Sequence, residues 1–264
     1  RLTPGISLNQ NTTTRMRSLI VTVAGCSSRF NENCPEPVLK CIHTDGDMRK
    51  TLLFQILDKA GSCGQIIVVG GYKYEDLNDF CTLLPSDIRE RLTLVCNSHY
   101  SDMGSGYSLA LGVRAVAPEA DEVIFAEGDL YYDRDDFQKL ADAPQSVFSV
   151  NHELIFSRKA VAGYLTADNR IKYLYDTSHS LLEIPEPFAA VFNSAQIWKF
   201  HNAAMLKKVV EKMTPERLAG TNLEIIQDYF DLLSPEQYRM ADFGLWLNCN
   251  TRADYDIMAR MIQF

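Results

Sequence analysis

The 264-residue chain has no lysine- and arginine-rich stretch, and its formal charge is −8. A groove for a nucleic-acid backbone needs clustered cations, so that class of partner is excluded. No apolar run approaches the ~18 residues of a membrane span, and residues 1–17 lack the apolar core of a secretory signal. They read as a polar tail, in which the sequon Asn11-Thr12-Thr13 is ordinary polar sequence. The seven cysteines (Cys26, Cys34, Cys41, Cys63, Cys81, Cys96 and Cys249) are odd in number and show no CxxC spacing. A disulfide framework and a zinc site are therefore not indicated, and a reduced, cytoplasmic protein is expected. The five histidines (His43, His99, His152, His179 and His201) have no ligand spacing and read as structural or surface residues. Internal repeats and low-complexity linkers are missing as well.

What is present is enough apolar sequence, 46% of the chain, to bury a full core. Strand-like and helix-like segments alternate from Leu19 onward: strands at Leu19–Val23, Gln65–Val69, Leu92–Cys96 and Glu122–Ala126, helices at Thr51–Ala60, Tyr74–Leu83 and Tyr107–Val116. Near-continuous apolar strands alternating with helices indicate a parallel sheet covered on both faces. After about residue 145 the pattern changes. Val147–Val150, Val161–Thr166, Ile171–Tyr175 and Phe188–Asn193 read as antiparallel strands laid over one sheet edge. Helices are expected at Ala195–Lys212, Asn222–Leu233 and Arg252–Met261, the last with Thr251 as N-cap. One domain, 18–264, with halves 18–145 and 146–264, follows the polar tail 1–17.

Ligands of open parallel sheets bind beyond the carboxyl ends of the strands, and the chemically informative residues fall there. Leu19–Val23 opens into Ala24-Gly25-Cys26-Ser27-Ser28-Arg29. Such a small-residue loop exposes backbone N–H groups to a phosphate, and Arg29 adds a forked cation. Gly71-Tyr72 follows the second strand, Asn97 the third and Gly128-Asp129 the fourth. A carboxylate just past a buried strand suits Mg²⁺, which takes one or two carboxylates plus phosphate oxygens and water. The turn Asp102-Met103-Gly104-Ser105-Gly106-Tyr107-Ser108-Leu109 runs into a helix, offers groups that read a base edge, and places Ser108 as a cap.

With these motifs in this order, the chain resembles the nucleotidyltransferase superfamily. Its members begin with an Ala-Gly-x-Gly-x-Arg-like loop, place Gly-Tyr after the second strand and an Asn before a Ser-Leu helix, and carry a Gly-Asp metal site. A late Trp-x-x-x-Asn-Thr-x-x-Asp segment is matched by Trp246 to Asp254. The resemblance spans 18–262 and implies a Rossmann-like, three-layer α/β/α (GT-A-like) fold with a mostly parallel sheet and an antiparallel extension. The first loop and the 103–109 turn are similar to molybdenum-cofactor cytidylyltransferases. Length and the 145–195 insertion are closer to bacterial choline-phosphate and 2-aminoethylphosphonate cytidylyltransferases. The resemblance implies a Mg²⁺-dependent transfer of CMP from CTP to a small phosphorylated or phosphonate acceptor, the first half holding the nucleotide and the second the acceptor. Arg29, Lys40 and Asp129 are then the catalytic candidates. Residues 24–29, Gly71, Tyr72, Asn97, Gly104, Ser105, Gly106 and Ser108 are placed on the nucleotide. Asp129 and Glu224 are placed on the metal, and Glu224, Tyr131 and Tyr164 on the acceptor. Cation–π contact makes tyrosines suitable walls for an ammonium head.

Three positions depart from the family pattern. Pro35-Glu36-Pro37-Val38 puts an acid where a phosphate-binding lysine is expected, leaving Lys40 as the nearest replacement. Ser27 stands for the second glycine, and Asn248 for a late residue that is often acidic. The alternatives left by these departures are a sugar-1-phosphate or molybdopterin acceptor, or a nucleotide-binding module with impaired catalysis.

Overall fold

The computed structural model describes residues 15–156, 160–175 and 183–262. The sequon, His179 and most of the tail lie outside them. Four strands form the parallel half of the sheet: β1 (Arg17–Val23), β2 (Gln65–Gly70), β3 (Leu92–Cys96) and β4 (Glu122–Glu127). In register, Leu19 stands beside Ile66 on one side and Ile124 on the other. A short β5 (Leu130–Tyr132) follows, then β6 (Ser146–Asn151), β7 (Ala162–Thr166), β8 (Ile171–Tyr173), β9 (Phe188–Phe200), β10 (Tyr238–Phe243) and β11 (Trp246–Asn248). The main sheet runs β10-β6-β9-β4-β1-β2-β3, with β7 and β8 hung on β9 and β11 paired to β5.

Alternation along the strands divides the core in two. Leu19 and Val21 face α1 (Leu52–Asp58), α2 (Tyr74–Thr82), α3 (Ser86–Arg89) and α5 (Arg134–Asp142). Ile20 and Val123 face α4 (Ser105–Arg114), α6 (Ala203–Glu211), α7 (Pro215–Leu218) and α8 (Leu223–Asp231). Helix α9 (Arg252–Met261) closes a small third core of Phe30, Leu52, Cys249, Tyr255 and Met258. Thr251 caps it as expected, its side chain accepting from the Asp254 N–H. The three-layer α/β/α architecture agrees with the sequence reading.

Besides the short β5, α3 and α7, which the sequence reading does not name, two segments differ from it. The helix expected over Ala195–Lys212 begins only at Ala203, and Ala195–Phe200 completes β9. Each of those six residues is at most 3% exposed, so both faces of the strand are buried and its side chains carry no alternation to betray it. The buried Lys199 adds to the disguise. Its Nζ is 3.0 Å from Glu122 Oε2 and donates to the Ala141 and Ala143 carbonyls. As a result β9 lies inside the sheet, antiparallel to both β4 and β6, rather than only over its edge. The second difference is β10, which was read as no element; it lies parallel to β6 at the rim.

Candidate active site

The loop after β1 bends where the sequence has Ser27. Its φ of +54° is left-handed backbone, a conformation that favours glycine. The Ser27 Oγ accepts from the Lys40 N–H at 3.3 Å, which ties the loop to the single 3₁₀ turn Lys40–Ile42. Leu39 and Cys41 on either side of Lys40 are buried; they anchor the turn and send the lysine into the space beyond β1 and β4. There Lys40 Nζ donates to Asp129 Oδ2 at 2.9 Å. Glu36, four residues earlier, is exposed. Lys40, not position 36, thus supplies the cation that meets Asp129.

Asp129 follows a glycine that nothing larger could replace: a Cβ on Gly128 would fall 2.2 Å from Val23 Cγ1. This close approach brings the end of β4 against the end of β1, and the Cys249 N–H bonds the Asp129 carbonyl at 2.8 Å. The second carboxylate oxygen, Asp129 Oδ1, is buried with no hydrogen-bond partner. Two residues back, Glu127 faces the same cleft, and its Oε1 accepts from Asn222 Nδ2 at 2.9 Å. Burial first, and then the nearby Asp129 charge, push the Glu127 carboxyl up to about 7. Asn222 is itself held by its N–H on Ser105 Oγ at 3.0 Å. The resulting cleft, about 200 Å³, is lined by Ala24, Gly25, Ser27, Lys40, Ser105, Glu127, Asp129 and Asn222, with strand and turn residues beneath.

The expected nucleotide residues divide. Ala24, Gly25, Ser27 and Ser105 reach this cleft. Cys26, Ser28 and Arg29 are exposed, and Arg29 Nη2 donates to Asn250 Oδ1 at 2.8 Å. Arg29 borders a neighbouring cleft of about 400 Å³, with Glu153, Phe156, Asn193, Trp246 and Asn248 among its lining residues. Gly71 and Tyr72 pack beside the loop: Tyr72 N–H bonds the Ala24 carbonyl at 3.1 Å, and a Cβ on Gly71 would meet Tyr100 Cβ at 2.5 Å. Asn97 is fully buried; it donates to Ser108 Oγ at 2.9 Å and accepts from the His99 N–H, so it holds the strand-to-helix turn from within. Ser108 is not a cap, because α4 starts at Ser105 after Gly104. Gly104 and Gly106 serve a backbone approach, in which Gly106 N–H bonds the Gly220 carbonyl and a Gly104 Cβ would fall 2.0 Å from the same oxygen.

The expected acceptor residues lie elsewhere. Glu224 Oε2 accepts from Arg217 Nε at 2.7 Å, and Arg217 also holds Asp228. Its carboxylate is spoken for. Tyr131 lies under Lys59, whose Nζ is 5.0 Å from the ring centroid, and the buried Tyr164 donates to Glu186 Oε1 at 2.9 Å. Asn248 Oδ1 accepts from Asn250 Nδ2. Sequence reasoning missed Glu127 and Asn222. Glu127 had a legible signal, since it ends the strand that leads directly into the Gly128-Asp129 turn. Asn222 had none, because its partners lie 95 and 117 positions away.

With this geometry established, comparison places the chain. A family described as "domain of unknown function (DUF6564)" matches residues 36–262. The chain belongs to that family. No curated protein matches it. Among solved structures, it is similar to the inositol-1-phosphate CTP transferase from T. maritima, at 18% identity and a TM-score of 0.65, over 93% of this chain and 96% of that one. It is also similar to a putative glucose-1-phosphate thymidylyltransferase from Bacillus anthracis, solved in complex with a sucrose. There the identity is 16% and the TM-score 0.67, over 94% and 97% of the two chains. At such identities the likeness is one of fold, and it extends over nearly the whole DUF6564 chain.

Proposed function

We propose that this DUF6564 protein is a Mg²⁺-dependent nucleotidyltransferase that joins a nucleoside monophosphate, CMP by resemblance, to a small phosphorylated or phosphonate acceptor. The observation that carries the reading is the Lys40–Asp129 pair with a bare Asp129 Oδ1, set beside the Ala24–Arg29 loop. The acceptor's phosphate or phosphonate oxygen attacks the α-phosphorus of the triphosphate in line, the bond to the β-phosphate oxygen breaks, and pyrophosphate leaves. Little covalent work falls to the protein, which supplies positioning and charge neutralisation. Lys40 and the loop N–H groups receive phosphate oxygens, and Arg29 stands between the nucleotide cleft and its neighbour. Asp129 fits Mg²⁺, since its buried oxygen lacks the partner a cation provides; bound there, Mg²⁺ neutralises phosphate charge.

The neighbouring cleft suits the acceptor: Arg29 can take its phosphate, while Trp246, Phe156 and the Glu153 carboxylate suit a cationic head. A sugar or cyclitol 1-phosphate is the second reading, favoured by the substrates named for the two similar folds and by the amides Asn193 and Asn248 in that cleft. Pyrophosphate release, screened with four NTPs against choline phosphate, 2-aminoethylphosphonate and hexose or inositol 1-phosphates, decides between them. Asp129→Ala is expected to lower turnover by about 10²-fold or more, with unchanged circular dichroism. Absence of turnover with every pair, or release indifferent to Asp129→Ala, refutes the assignment.

A further inference from the structure

The expected second metal carboxylates are withdrawn in this chain. Glu224 is held by Arg217, and the late segment presents Asn248, whose Oδ1 is occupied by Asn250. Among the described residues that line the cleft, the carboxylates are Glu127 and Asp129. We infer that these two, the last residue of β4 and the turn residue beyond it, hold the divalent cation together, and that Lys40 is the resident counter-ion it displaces. The inference rests on the nucleotidyl-transfer reading for its need of a divalent cation.

Three observations carry it. Glu127 closes β4 and Asp129 sits in the turn that follows, and both line the same cleft. Asn222 Nδ2 engages one oxygen of Glu127 and so fixes the group's orientation while leaving Oε2 for a ligand. Asp129 Oδ1 is buried without a partner, while Oδ2 holds Lys40 at 2.9 Å. Among the described residues no group of three or more His, Cys, Asp or Glu could hold a metal. Two carboxylates completed by phosphate oxygens and water is the set that Mg²⁺ prefers.

A coupling follows. In the free protein an entering cation competes with the Lys40 ammonium for Asp129. A triphosphate draws that ammonium onto its own oxygens and vacates Asp129 Oδ2, so cation and nucleotide each tighten the other, and reciprocally.

The test is Mn²⁺ binding to the full chain without nucleotide, read as free Mn²⁺ by electron paramagnetic resonance, with circular dichroism as the control for folding. At pH 8, where both carboxylates are ionised, Glu127→Gln and Asp129→Asn are each expected to weaken binding about tenfold or more, because each removes a unit charge in direct contact. Lys40→Met is expected to tighten it several-fold, although the same change removes a side chain needed for turnover. Asn248→Ala leaves Mn²⁺ affinity unchanged. Weaker or unchanged binding in Lys40→Met overturns the displacement, and wild-type affinity in Glu127→Gln overturns the paired site. The expected Mn²⁺ pattern without turnover on any substrate pair would sink the nucleotidyltransferase reading and leave the cation site standing. Turnover without that pattern does the reverse.

Discussion

Glu127 sets a pH dependence that a single substitution should erase. Its carboxyl is displaced from an ordinary value of 4.5 to about 7, chiefly by burial and then by Asp129. Below about pH 4.5 the group is protonated in both folded and unfolded chains and costs nothing. As pH rises toward 7, the unfolded chain releases the proton while the folded chain retains it. The raised value therefore gives stability that is present at acid pH and lost as pH climbs through the folded value. At about 1.4 kcal/mol per tenfold change, the displacement corresponds to roughly 3 kcal/mol as an upper limit. Glu127→Gln keeps an oxygen to accept from Asn222 and removes the ionisation. Urea unfolding of both proteins from pH 5 to 7.5, without divalent metal, reads the difference; histidine titration is common to both and cancels. The variant is expected to gain on the wild type by about 1–3 kcal/mol across that range. Parallel stability curves would refute the claim that desolvation and the Asp129 charge hold the proton on Glu127.

Two structural predictions accompany it. Ser27→Gly should leave stability within about 1 kcal/mol, since relief of left-handed backbone offsets unfolded-chain entropy, whereas β-branched Ser27→Val should cost about 1–2 kcal/mol or more in denaturant unfolding. Equal stability of the two variants would contradict the positive φ. Lys199→Met removes the cation from a buried Glu122 and from two carbonyls. Arg17, Arg15 and His201 remain 3.1, 3.3 and 2.9 Å from that carboxylate, so a loss of about 3 kcal/mol is expected, and a loss under 1 kcal/mol would show that these partners suffice without Lys199.

Much of the parallel half was legible because its information is local. An apolar run such as Leu19–Val23, broken by glycine, declares a buried strand and its end in a dozen residues. The Gly128-Asp129 turn was legible for the same reason. Local reasoning failed where burial removed the pattern: in β9 the residues Ala195–Phe200 are buried on both faces, and a helix is an equally good reading. It did not foresee the pairing of Asn97 with Ser108. The resemblance placed both on the nucleotide and the turn suggested Ser108 as a cap; in the structure they hydrogen-bond each other inside the turn.

The chain order of motifs determined the class of fold and the places where phosphate chemistry can occur, because strand ends are written in short segments. Which charges meet there was decided only by tertiary structure. Lys40 reaches Asp129 across 89 positions, Asn222 reaches Glu127 across 95, and Glu224, expected at the metal, is taken by Arg217. Coulomb energy depends on separation in space, which the sheet order sets and sequence distance does not record.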